Sequence, residues 1–375
     1  MEKRFERVLI VGDTLRPWQN GDRYTSGAFR NIQWIYHLLK WIFDEEHIPV
    51  SALDWNGYDC SIQYTKFDIA AYYASRELDI DLDSWVKLAN SKKSCELLWS
   101  QLAKLTQGTL VVGYEMSNIF IETLKNNNVK YIDVALHPIR YMDDILHSIR
   151  TNDFVIHQQL IKSRFSSNEY WKKAALVKAK ICRYPTTINT PPNTTIILGQ
   201  VWTDRALSKV DGGFYDLEGY LTDVKRIVNE SSAVLYKPHP FEKFSFKSSD
   251  IHKIFKSIKT TDVNYYHLLA QPTVTKVCGL NSSGLYEAKY FGRRTEYFIP
   301  QQYDLKDDSK INEIEVGDFV TVGNIWTEHG FWMPILYEGA HSDGCYATYI
   351  KDNELRRSMN TDWGYGYINQ LVIKS

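Results

Sequence analysis

The chain has 375 residues, 44% apolar and 24% charged, which suits a globular protein of two ordinary-sized domains with a substantial core. A formal net charge of -1 speaks against nucleic acid as the partner, because nucleic-acid binders carry a clear basic excess. The five cysteines are scattered and form no Cys-x-x-Cys pair, which excludes a disulfide framework or a zinc site of the usual spacing and fits a reducing compartment. Met1 to Val11 has no long apolar region or small-residue cleavage site and does not read as a secretory signal. No stretch approaches the roughly 20 apolar residues that span a bilayer. Aromatics reach 14%, with 25 Tyr and 11 Trp. Packing accounts for such an excess, and so do the aromatic faces of sugar-binding clefts.

Val8 to Val11 is a short apolar run ending at Gly12-Asp13 and reads as a buried strand. A polar loop over residues 14–30 follows, long enough to suggest a function. Asn31 opens a helix to about Phe43, with Trp34, Ile35, Leu38, Leu39 and Ile42 at helical spacing. Residues 56–104 are mostly helical in pattern, with an insertion. Thr109 to Val112 is a second strand, ending at Gly113-Tyr114-Glu115, and a helix follows to about Lys125. Lys130 to Val134 is a third strand. Ile139, Met142, Ile145, Leu146 and Ile149 share one helical face, so a helix is predicted over 138–150. Three prolines between Tyr184 and Asn193 mark a linker. Beyond it, strands are predicted at Thr195–Leu198, Ala233–Tyr236, Thr275–Cys278 and Glu296–Ile299, with helices near 218–229 and 284–291. Strands alternating with helices imply parallel sheets. The reading is therefore two α/β halves, with ligands beyond the carboxyl ends of the strands.

The chemistry-bearing motifs all fall at such strand ends. Lys237-Pro-His239-Pro240 is a stiff turn in which His239 could donate to a phosphate and Lys237 offset its charge. A rigid turn with a satisfied histidine is the plainer alternative. Asn281-Ser282-Ser283 opens a helix, whose amino end and hydroxyls suit an anion, although serine also caps helices routinely. Together the two turns describe a phosphate clamp that needs no metal. Gly199-Gln200-Val-Trp-Thr-Asp204 places a carboxylate at the first strand-to-helix loop of the second half, as nucleophile, base or cap. Glu115 lies across the cleft, as a general acid/base or a solvated strand-end carboxylate. Two carboxylates on opposite walls meet the requirement of glycosyl transfer by double displacement. Arg140, in His137-Pro-Ile-Arg140, could pair bidentately with a sugar carboxylate, or with Asp143 or Asp144 on its own predicted helix.

Lys237-Pro-His-Pro240 followed by Ser282-Ser283 resembles the His-Pro and Ser-Ser motifs of CMP-sugar transferases. Leu198 to Asp204, together with Tyr131 to Asp144 and Gly113 to Glu115, looks like the bacterial retaining β-Kdo transferases of capsule and O-antigen assembly. The resemblance spans about residues 110–300. It implies a GT-B fold, two Rossmann-like domains facing across a cleft, and a CMP-β-Kdo donor used without metal or other cofactor. On it, Asp204 matches the nucleophile and Glu115 the carboxylate that activates the acceptor hydroxyl. Gln200, Lys237, His239, Asn281, Ser282, Ser283 and Arg140 fall on the donor side.

The expected domains are 1–184 on the acceptor side, 194–350 for the CMP-sugar, and a segment 351–375 that returns to the first domain as GT-B chains often do. The expected partners are a CMP-activated acidic sugar and an oligosaccharide or lipid-linked glycan, with no nucleic acid. The expected location is the bacterial cytoplasm, compatible with a peripheral contact at the inner face of the membrane. An inverting CMP-sialic or nonulosonic acid transferase and a CDP-glycerol-type phosphotransferase share the same two motifs. A catalytically dead carbohydrate-binding subunit would lack the carboxylates, which are intact here. The acceptor and the choice among acidic sugars are not legible.

Overall fold

Val8, Leu9, Ile10 and Val11 are all buried, and they alternate between two apolar layers: Val8 and Ile10 face one, Leu9 and Val11 the other. A strand covered on both faces reads as a continuous apolar run, which is why its pattern is unbroken. The computed structural model describes every residue except 21–22, 56, 58, 91–95, 184–187, 242–253, 307–310, 341–350, 362–363 and 365–375. The first half contains β1 (Arg7–Val11), β2 (Pro17–Asn20), β3 (Arg23–Ser26), α1 (Phe29–Glu45), β4 (Val50–Asp54), β5 (Tyr64–Lys66), α2 (Ile69–Ala74), α3 (Leu82–Ala89) and α4 (Glu96–Thr106). It continues through β6 (Thr109–Tyr114), α5 (Asn118–Asn126), β7 (Tyr131–Leu136), β8 (His147–Thr151), α6 (Phe154–Lys162) and α7 (Asn168–Cys182). The second half contains β9 (Thr194–Leu198), α8 (Leu221–Glu230), β10 (Ala233–Lys237), β11 (Ile258–Thr260), α9 (Tyr265–Ala270), β12 (Val274–Gly279), α10 (Ser283–Ala288) and β13 (Arg294–Tyr297). The chain then adds β14 (Val320–Val322), α11 (His329–Leu336) and α12 (Glu354–Ser358).

Seven strands form the first sheet in the order β14-β8-β7-β6-β1-β4-β5, parallel from β7 to β5. Five parallel strands form the second, in the order β11-β10-β9-β12-β13. Each sheet has an apolar layer on both faces. These are two Rossmann-like α/β domains facing across a cleft, the GT-B fold.

Three expectations need correction. Residues 138–150 are not helical. They form an irregular segment leading into β8, which runs antiparallel to β7. Ile139, Met142, Ile145, Leu146 and Ile149 are all buried, so the apolar positions are real, but their spacing reflects an irregular buried path and not one helix face. The long polar loop over 14–30 carries the β2–β3 hairpin. The return to the first domain begins well before residue 351: β14 pairs antiparallel with β8, and α11 lies against α6. The stretch 194–350 is therefore not one domain. The predicted linker falls partly outside the described residues.

The tail is held by one buried carboxylate. Asp144 accepts from the backbone N–H groups of Ile145 (2.8 Å), Leu355 (3.0 Å) and Arg356 (2.9 Å), and from Asn324 Nδ2 at 3.2 Å. Arg356 in turn donates to the carbonyls of Arg140 and Met142. Replacing Asp144 by Ala strands several buried donors at about 1–3 kcal/mol each, with partial relief from relaxation. We expect Asp144→Ala to lower unfolding free energy by about 2–4 kcal/mol in urea melts. Amide exchange across 354–358 should accelerate at the same time.

Candidate active site

The cleft between the sheets has a volume of about 270 Å³. Its walls come from strand ends. Glu115 follows β6, Pro138 and Arg140 follow β7, and Gln200 and Asp204 follow β9. His239 follows β10, and Asn281, Ser282 and Ser283 follow β12. Every residue singled out from the sequence lines this cleft except Lys237, which donates to the carbonyl of Asp262.

Asp204 is held from two directions. Its Oδ1 accepts from the N–H of Ala206 at 3.0 Å, capping the 3-10 turn Arg205–Leu207. Its Oδ2 accepts from Gln200 Nε2 at 3.2 Å. The same Nε2 donates to Asn281 Oδ1 at 3.1 Å, and Asn281 Nδ2 donates to the carbonyls of Ala206 (2.6 Å) and Pro300 (3.2 Å). Asp204 is therefore a cap and a member of a cleft-lining amide network at once. Gln200 Oε1 is buried and has no hydrogen-bond partner among the described residues.

Glu115 sits at φ +50°, a left-handed conformation that non-glycine residues adopt rarely and that clusters at functional turns. The turn is tight. A Cβ added to Gly113 would meet Met116 Cγ at 2.4 Å, so only glycine fits two residues ahead of Glu115. Burial pushes the Glu115 carboxyl up; Arg205 opposes this and Asp204 adds to it. The solvated reading of Glu115 does not hold. A raised carboxyl suits a general acid/base.

Arg205 is a cleft residue that the motifs did not indicate. It donates through Nη1 to the carbonyl of Glu115 and through Nη2 to that of Met116 at 3.0 Å. Arg16, from the loop that carries the hairpin, donates to the carbonyl of Thr203 at 3.0 Å.

Asp143 and Asp144, the partners considered for Arg140, are engaged elsewhere. Asp143 is bonded to Lys173, and Asp144 is committed to backbone N–H groups. The carboxylate beneath Arg140 is Glu287, whose Oε1 accepts from the Arg140 N–H at 2.6 Å and from Tyr266 Oη at 3.1 Å. Burial raises Glu287 to about 7, against the pull of Arg140. Its place near the end of a short helix gave no sign of this role.

His239 Nδ1 accepts from the N–H of Phe241 at 3.1 Å, which directs the proton of the neutral ring to Nε2. Burial lowers its pKa, with Asp204 acting the other way. Ser282 is the residue before α10, yet its side chain makes no capping bond. Plain capping therefore does not account for it. Gly284 lets this turn sit close to β9, because a Cβ there would meet Leu198 Cδ1 at 2.7 Å.

No family model matches the chain, and no curated protein is similar to it. Among solved structures it is similar to KpsC of Thermosulfurimonas dismutans, a β-Kdo 2,7 transferase, at 14% identity and a TM-score of 0.36, over 77% of this chain and 78% of that one. A β-Kdo 2,4 transferase of the same name and organism is 13% identical with a TM-score of 0.34, over 49% of this chain and 67% of that one. The UDP-GlcNAc 2-epimerase of Methanocaldococcus jannaschii is 10% identical with a TM-score of 0.28, over 77% and 82%.

The end of β13 and the segment after it complete the cleft with Tyr297, Gln301, Gln302 and Tyr303. Tyr303 Oη is buried without a hydrogen-bond partner among the described residues, and its ring stands 5.1 Å from that of Phe319.

Glu287 yields a pH test. A carboxyl raised from 4.5 to about 7 on folding favours the protonated form, so its stabilisation is fully present below pH 4.5 and is lost as pH rises through 7. A rise from 4.5 to about 7 corresponds to about 3 kcal/mol. The wild-type chain should lose stability between pH 5 and 8 relative to Glu287→Gln, read as the difference in urea-unfolding free energy at each pH.

Proposed function

We propose that the chain is a retaining β-Kdo transferase that moves Kdo from CMP-β-Kdo to a glycan acceptor of bacterial surface polysaccharide. The observation that carries this reading is the placement of Asp204 and Glu115, one from each domain, in the same cleft as His239 and the Ser282-Ser283 turn. Asp204 attacks the anomeric carbon, CMP leaves, and a glycosyl ester forms on the Asp204 carboxylate. Glu115 then takes the proton of the acceptor hydroxyl as that oxygen attacks the same carbon, which releases Asp204. A covalent intermediate divides one difficult displacement into two easier ones.

The phosphate of CMP is met by the Nε2–H of His239, the Ser282 and Ser283 hydroxyls and the N–H groups that open α10. Arg140 offers a guanidinium to the sugar carboxylate from the wall of the cleft. Gln200 and Asn281 hold the loop that bears Asp204. Lys237 lies off the cleft and acts on the phosphate only through its charge. No helix among the described residues is long and apolar enough to cross a membrane.

Intact-protein mass spectrometry with in situ generated CMP-Kdo tests the mechanism. An adduct of one Kdo residue should appear on the wild type and be absent on Asp204→Asn. CMP release without an adduct at any time point would favour the inverting route, and no CMP release would count against the donor. His239→Ala and Ser282→Ala, each removing a hydrogen bond to a charged phosphate, should raise donor KM about 10- to 100-fold.

A further inference from the structure

We propose that Arg205 is a positioning residue that holds Glu115 and Asp204 in register across the domain interface. The proposal rests on the reading of these two carboxylates given above. Arg205 directly follows Asp204 on the second domain, and its guanidinium crosses to the first. There it donates to the carbonyls of Glu115 and Met116, the two peptide groups of the left-handed turn. The N–H groups of that turn are bonded from behind: Glu115 N–H to the carbonyl of Val134 at 2.8 Å and Met116 N–H to Asp133 Oδ1 at 2.9 Å. The turn is thus bonded from both sides, and only Arg205 reaches it from the opposite domain among the bonds described. Asp133 is itself anchored by Arg150 at 2.9 Å.

A second arginine works from the other direction. Arg16 of the first domain donates to the carbonyl of Thr203, with its guanidinium 4.7 Å from the Trp85 ring centre. Residues 203 and 205 are therefore both bonded to the first domain, and Asp204 lies between them. A planar fork that donates to two carbonyls fixes orientation as well as distance, which a single ammonium cannot do.

Charge adds a second role. Arg205 faces Asp13, Glu115, Asp133 and Tyr303. Glu115 faces Arg205, Asp204, Arg16 and Asp133, with Tyr114, Arg140 and Tyr303 also in its field. Burial already raises the Glu115 carboxyl, and Arg205 is the strongest influence lowering it. Without that cation the carboxyl rises further and the base is ionised only at higher pH.

Two variants separate geometry from charge. Arg205→Lys keeps the cation and loses the fork; Arg205→Gln loses both. The readout is CMP release from in situ generated CMP-Kdo with water as acceptor, across pH. We expect turnover to fall at least 10-fold in Arg205→Lys, with the acidic limb of kcat near its wild-type position. In Arg205→Gln we expect a fall of about 100-fold and a limb displaced upward by about one unit, since a unit is the scale of one lost charge partner. Donor KM should stay within threefold in both. Turnover within threefold of wild type in both variants overturns the proposal, and so do equal losses with an unmoved pH profile. If the wild type releases no CMP, the donor reading fails and amide exchange decides the role of Arg205. Exchange at 115–117 at least 10-fold faster in Arg205→Gln, with β6 protection retained, supports it; unchanged exchange overturns it.

Discussion

A guanidinium half-buried between two domains is stable where its donors find acceptors and its charge finds counter-charge. Arg205 finds its acceptors in the Glu115 turn and its counter-charge in Asp13, Glu115 and Asp133. This constraint is mutual. The first domain supplies a cluster of carboxylates, Asp13 after β1, Glu115 after β6 and Asp133 within β7, that would be costly to bury without a cation. The second domain supplies the cation beside its own cleft carboxylate. Arg16 and Arg150 offset part of that charge from within the first domain, and Arg205 adds a cation from the second, so the two sheets are tied by charge as well as by hydrogen bonds. Arg16 repeats the pattern in the opposite sense with a neutral acceptor, the Thr203 carbonyl.

The tail serves the same geometry from behind. β14 extends the first sheet next to β8, and Asp144 gathers the N–H groups of Leu355 and Arg356. Arg356 then reaches the carbonyl of Arg140, whose own N–H rests on Glu287 of the second domain. The Arg140 backbone is thereby fixed by the tail on one side and the second domain on the other. His329 and Tyr337, on and just after α11, both bond Glu46 after α1, which seats the returning chain on the first domain. Those two bonds and the positive field of His329 and Lys3 outweigh desolvation and hold the Glu46 carboxyl below its ordinary value.

The strands at 7–11, 109–114 and 194–198 were legible because burial on both faces leaves a short apolar run within each, and the chain turns into the cleft where the strand ends. That regularity brings most of the singled-out residues to one cleft. It failed where burial is not periodic. Residues 139–149 bury their apolar side chains along an irregular path, and the mixture of spacings imitates a helix. β14 has three residues and exists because β8 presents an open edge, a tertiary fact that local sequence does not carry. Arg205 and Glu287 escaped for the same reason. Each looks like an ordinary helical charge until the opposite domain or the neighbouring loop is in place.

Asp204 could be read from sequence as a nucleophile or as a cap, and the structure makes those readings compatible. A capping hydrogen bond to Oδ1 and a hydrogen bond from the Gln200 amide to Oδ2 fix the rotamer of a carboxylate that would otherwise turn freely. Such ordering is what a reacting group requires, since misplacement by an ångström is costly to a displacement step. The network that orders it also leaves a residue of unmet polarity. Gln200 spends its Nε2 on Asp204 and Asn281, so its Oε1 is left as an acceptor without a protein donor, and Tyr303 Oη stands likewise in the same cleft. An unmet buried polar atom costs about 1–3 kcal/mol, and a hydroxyl-rich ligand would recover much of it on binding. The left-handed Glu115 adds a further local cost. These costs converge on one cleft in which the Asp204 carboxylate is already ordered, which is the distribution expected of a binding site, where local consistency gives way to complementarity with a ligand.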